Sequence, residues 1–126
     1  MKIWYFRDYV NHRGENEIAT WVNGLPVKDR AAIRARISFI EVLKELERPA
    51  IAALKGKCRG LYEVRISGIR VAYRPICYRG PGTNEITLLV GAVEKDGKLD
   101  PLTACDMAFA RIKAIQDGRG RTCEHI

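Results

Sequence analysis

Long apolar runs are missing from this chain. No stretch approaches the ~18 consecutive apolar residues of a membrane-spanning helix, so none is expected, and no membrane partner. An apolar leader core is missing as well, because Arg7 and Asp8 interrupt MKIWYFRDYV, and a cytoplasmic location is expected. Closely spaced cysteines are absent. Cys58, Cys77, Cys105 and Cys123 form no CxxC pair, and His12 and His125 stand at opposite ends. Zinc sites need close ligand pairs, so no metal site is expected, and the four cysteines read as buried or incidental thiols in a reducing compartment. Repeats and low-complexity tracts are lacking too. With 47% apolar and 29% charged residues, 11 glycines and 5 prolines, disorder and collagen-like repeats are excluded. The 126 residues suffice for one domain, read as 1–117, followed by a polar, frayed tail at 118–126.

Acidic residues are scarce in one place only. The chain carries 22 basic and 15 acidic residues, a net +7. Residues 49–80 hold 7 of the basic residues and a single acid, Glu63. A localised positive field attracts a polyanion and speeds encounter with it, which points to a nucleic-acid partner.

The spacing of apolar residues predicts the elements. Residues 2–9 are aromatic and β-prone without a breaker, a first strand. Ile18, Trp21 and Val22 mark a short helix over 16–24, ended by Gly24 and Pro26. Ile33, Ile37, Ile40 and Leu43 mark a longer helix over 27–47. Two helices this close in sequence form a hairpin and need an apolar floor. After Pro49 comes a basic connection, 51–60. Strands at 61–67, 69–78 and 85–93 follow, joined by turns short enough for antiparallel neighbours. Pro75 has no N–H, so its strand should meet an edge or a bulge there. Residues 94–101 read as a loop, and 101–116 as a closing helix. The expected fold class is α+β: a small antiparallel sheet, an N-terminal strand plus a three-stranded meander, covered by a helical hairpin, with a C-terminal helix.

Alternation places Tyr62, Val64 and Ile66, with Ile69, Val71 and Tyr73, on an apolar face under the helices. It places Glu63, Arg65, Arg70 and Arg74 on the other face, expected to be open. Arginine grips phosphate through a planar fork of donors and keeps its charge at any relevant pH, so this face reads as a phosphate-binding surface. The alternative is a solvated face with Glu63 paired to an arginine.

The order of elements, with LKGKCRGLYEVRISGIRVAYR at 54–74, resembles the RelE/HigB-like toxins of bacterial and phage toxin–antitoxin systems. The family pattern "L-K-G … G-L-x-E-L-R … Y-R" is matched by Leu54, Lys55, Gly56, Gly60, Leu61, Glu63, Arg65 and the Tyr73-Arg74 pair. LLVGAVEKDGKLDP at 88–101 continues the likeness, as do Ala108 and Arg111 for its "A-x-x-R". The resemblance covers 50–115 closely and 1–48 in outline. It implies a ribosome-dependent mRNA endoribonuclease that inhibits translation, needs no cofactor, and has a cognate antitoxin, commonly of helix-turn-helix type, as partner. The core arginine of the family falls on Arg70 by one count and Arg74 by another; Arg65 matches a further arginine. Lys95 and Lys98 fall where the family has lysines, though the loop here reads Glu-Lys-Asp.

Cleavage by 2′-OH attack needs alignment, charge stabilisation and proton transfer. Arg70, Arg65 and Arg74 are the candidate phosphate clamp, and Glu63 the candidate base, with a strut orienting an arginine as its alternative. Lys95 is the candidate acid, and Lys55, Lys57, Arg59 and Lys98 are candidate RNA contacts. Two other readings stay open: a ParE-like toxin inhibiting gyrase by protein contact, which shares the fold, and a non-catalytic nucleic-acid-binding module.

Overall fold

A computed structural model describes all of residues 1–126. The aromatic N-terminus forms β1 (Tyr5–Val10). The Asn16 side chain accepts from the Ala19 amide at 2.9 Å, satisfying one of the free donors that open α1 (Glu17–Asn23). Pro26 precedes α2 (Val27–Glu41). This helix stops six residues short of the expected Glu47. The Glu41 carbonyl accepts from the amides of Ile3 and Trp4 at 2.7 and 3.1 Å, and the Leu43 carbonyl accepts from the Trp4 indole at 2.9 Å. The N-terminal segment thus takes the acceptors at which the helix ends.

The remaining elements are β2 (Ile51–Ala53), a 3₁₀ turn at Gly56–Cys58, β3 (Tyr62–Val64), β4 (Ile66–Ser67), β5 (Ala72–Tyr73), β6 (Ile76–Arg79), β7 (Glu85–Val90), β8 (Val93–Lys95), β9 (Lys98–Asp100), α3 (Ala104–Gln116) and β10 (Arg121–Glu124). They build an α+β fold with two sheets. The larger is mixed, in the order β10-β1-β7-β6-β3-β2, with β1 parallel to β7. The smaller is antiparallel, β4-β5-β8-β9. The single small meander expected from the sequence is divided by Pro75. It separates β5 from β6, and the β6–β7 register shifts between Ile76 and Cys77.

Helices cover both faces of the larger sheet. Ile18, Ile33, Ile37 and Ile40 pack with Phe6, Ile51, Val64 and Leu88 on one face. Ala104, Cys105 and Ala108 of α3 pack with Leu61, Ile76, Leu89 and Val90 on the other. Two covered faces explain why Ile86 to Val90 of β7 are all buried, which a strand open on one face would not show. They also overturn the expectation that the second face is open.

Three further expectations are corrected. Cys58 and Cys105 are joined as a disulfide, Cα atoms 5.5 Å apart, leaving only Cys77 and Cys123 as thiols. The 94–101 loop is a β8–β9 hairpin around Asp96 and Gly97, both at positive φ (52° and 76°), the pairing that tight hairpin turns favour. The 118–126 tail is not frayed: β10 pairs with β1, and Arg7 Nε donates to Thr122 Oγ1 at 3.1 Å. Without it β1 would expose an unpaired edge.

Candidate nucleic-acid interface

Arg70 is an exposed basic residue on the tip between β4 and β5. The tip closes through the Gly68 amide donating to the Val71 carbonyl at 2.7 Å. Beneath it lies Asp29 of α2, 3% exposed. Its carboxylate accepts from the Ile69 amide at 3.0 Å and from the Tyr73 hydroxyl at 2.5 Å. A buried carboxylate needs such partners, and these two tie the tip to the helix layer. A Cβ at Gly68 would collide with the Tyr73 ring and press on Asp29, so glycine fits this close approach. Burial, then the Asp29 hydrogen bond, pushes the Tyr73 hydroxyl up to about 12. Arg70 itself is exposed and forms no ion pair.

Arg74 is placed differently. It is 7% exposed, and its Nη1 donates to the Tyr73 carbonyl at 2.8 Å. Its Nε stands 3.7 Å from Glu94 and 3.9 Å from Glu63, without a hydrogen-bond partner. Burial, reinforced by the charge of Arg65, lowers its pKa; Glu63 and Glu94 act in the opposite sense. Arg65 Nη1 donates to Glu63 Oε2 at 2.5 Å while keeping part of its guanidinium in solvent. The expected three-arginine clamp is therefore not assembled. Arg74 is an internal group, Arg65 is half-neutralised, and Arg70 alone stands free. Glu63 is buried between these two arginines and bonded to Arg65, so the open position expected for it is not found.

Register fixes where the lysines lie. Ala72 faces Glu94, and Lys95 faces Lys98, so the Arg70 tip and the Asp96–Gly97 turn project from the same end of the small sheet. Both lysines are exposed. By alternation they share the face of Tyr73 and Val93, while Glu94 points to the face of Arg74. Lys55, Lys57 and Arg59 are also exposed, but Ala53 faces Tyr62, which puts them at the opposite end of β3. At ~3.3 Å per residue, the chain between them and the tip reaches roughly 25 Å at most. The nine sequence-predicted residues thus fall into three groups: Arg70, Lys95 and Lys98 on two turns at one end of the small sheet; a knot of Glu63, Arg65 and Arg74; and a distal basic turn.

Two residues that shape the site, Asp29 and Glu94, were not singled out from the sequence. Arg111, part of the family-like pattern, is a structural tie: its Nη1 donates to the Leu89 carbonyl at 2.6 Å and its Nη2 to Glu17 at 3.0 Å.

No group of three or more His, Cys, Asp and Glu side chains is placed to hold a metal ion, and no helix is long and apolar enough to cross a membrane. The chain matches no protein-family model, no curated protein and no solved structure.

Proposed function

We propose that this protein is an RNA-directed toxin, a ribosome-dependent mRNA endoribonuclease of the RelE/HigB-like kind, neutralised by a cognate antitoxin of helix-turn-helix type. The observation that carries the reading is Arg70: a free, exposed guanidinium on a tip held down by Asp29. A guanidinium presented on a braced turn loses little freedom when it meets a phosphate, which favours binding and alignment. In this reading Arg70 grips the scissile phosphate and Arg65, oriented by Glu63, meets a neighbouring one. The 2′-OH gives its proton to solvent water as it attacks phosphorus, a P–O2′ bond forms as the P–O5′ bond breaks, and a 2′,3′-cyclic phosphate and a 5′-hydroxyl result. Lys95 or Lys98 protonates the departing 5′-oxygen. Charge stabilisation and alignment carry most of the rate.

The sequestered Arg74 favours a second reading, a non-catalytic RNA-binding module, because fewer guanidinium groups remain to stabilise a transition state. Inducible expression with mapping of message 5′ ends separates them. The toxin reading expects growth arrest, cut messages on translating ribosomes, and relief by Arg70→Ala in a folded protein. Harmless expression with salt-sensitive RNA binding supports the module. DNA damage with intact messages supports a gyrase inhibitor.

A further inference from the structure

A separate polar cluster lies at the other end of the larger sheet. Asp8 of β1 is 1% exposed, and both its carboxylate oxygens are occupied. Oδ1 meets His125 Nδ1 at 2.7 Å, and Oδ2 accepts from Asn16 Nδ2 at 2.9 Å. The β1–β10 register explains the meeting. Asp8 faces Cys123, and the His125 amide donates to the Phe6 carbonyl at 3.1 Å, so Asp8 and His125 fall on the same side of the ribbon. The carboxylate fixes the ring with Nδ1 turned inward, leaving Nε2 without a protein partner.

The imidazole borders a cavity of about 230 Å³ between α2 and the ends of β1 and β10. Lys2, Arg30, Arg34 and Glu41 line it as well. Lys2 and Glu41 pair at 3.0 Å and cancel. Arg30 and Arg34 lie one helical turn apart and have no carboxylate partner. The acid lining the cavity is Glu41. A simple strap holding β10 to β1 accounts for the Asp8–His125 contact. It does not account for two arginines without a carboxylate partner lining the same cavity as the His125 ring.

We propose that this groove binds a small phosphate monoester. Arg30 and Arg34 donate to the phosphate oxygens beside the His125 ring, which Asp8 holds in place. The cavity is smaller than the ~300–1,000 Å³ of a drug-sized ligand site, which suits a terminal phosphate with little attached. The site shares no lining residue with the Arg70 tip, although Arg30 directly follows Asp29, which holds the Ile69 amide of that tip.

The test titrates the full chain with inorganic phosphate and, separately, with a nucleoside 5′-monophosphate at low ionic strength. NMR follows the His125 ring, with exposed His12 as the internal control. The expected result is a saturable shift of His125 by the monophosphate, equal to or tighter than that by inorganic phosphate, while His12 stays still. Arg30→Ala/Arg34→Ala should weaken binding about ten-fold or more through lost charged hydrogen bonds, with the fold intact by backbone spectrum. Arg70→Ala should bind as the wild type does. Response to inorganic phosphate alone would overturn the ester assignment. No saturation, both histidines moving together, or unchanged affinity in the double arginine variant would overturn the site.

Discussion

Tyr73 donates its hydroxyl to the buried carboxylate of Asp29 at 2.5 Å, and this bond joins the hairpin tip to the helix layer. Tyr73→Phe removes a hydrogen bond to a charged group and should cost about 2 kcal/mol, read as a lower urea midpoint. The pH dependence follows from the raised hydroxyl. Tyrosine in the unfolded chain ionises near 10, whereas folded Tyr73 holds its proton up to about 12. Above pH 10 the unfolded state binds fewer protons, so this contribution is complete below that pH and is lost as pH climbs through about 12. Tyr73→Phe should flatten part of the alkaline loss of stability. An unchanged alkaline profile would contradict the Asp29 bond.

Glu63 has two effects that separate in one variant. It balances buried Arg74 and neutralises half-exposed Arg65. Glu63→Ala should destabilise the fold by about 3 kcal/mol, because a buried charge loses a partner. It should also raise RNA affinity per folded molecule, because Arg65 is released. Denaturant curves and fluorescence anisotropy with single-stranded RNA measure the two. If RNA affinity fell with the fold intact, Glu63 would be a contact rather than a strut.

The Cys58–Cys105 bond closes a loop across 47 residues and fastens the basic turn to α3. Loop-closure entropy of that length corresponds to about 4 kcal/mol at most. Reduction should lower the denaturant midpoint accordingly, and Cys58→Ser/Cys105→Ser should match the reduced protein. In the reducing cytoplasm that the proposed function implies, the pair would stand as two thiols unless oxidised.

Local patterns made much of the fold legible. The Ile33, Ile37, Ile40 stripe marked α2, and Pro75 marked the interruption that divides the sheets. Non-local partners hid the rest. The end of α2 depends on Ile3 and Trp4 reaching back to Glu41 and Leu43, contacts invisible to a helical period. β10 has a short, half-polar sequence and becomes a strand because β1 offers an open edge. Two signals were present in the sequence. Asp29 lies four residues before Ile33, in line with the buried stripe, and an acid in that row marks a buried carboxylate in need of partners. Asp96-Gly97 is a hairpin turn signature inside what reads as a loop.

The candidate site was legible in residue type and misleading in orientation. Alternation correctly put Glu63, Arg65 and Arg74 on one face. Leu61, in the same row, is fully buried in the cluster that α3 joins, and it carried the hint that the face is not open. Arg74, further along, meets Glu63, Glu94 and the Tyr73 carbonyl rather than an incoming anion.

The most direct test of the Arg70 assignment is the salt dependence of binding to single-stranded RNA by the wild type, Arg70→Ala and Lys95→Ala. If Arg70 holds a phosphate on a braced tip, its removal weakens binding several-fold and lowers the slope of log affinity against log salt by about 0.7. Lys95→Ala gives a smaller loss. Identical affinity and slope in Arg70→Ala and the wild type would contradict the account.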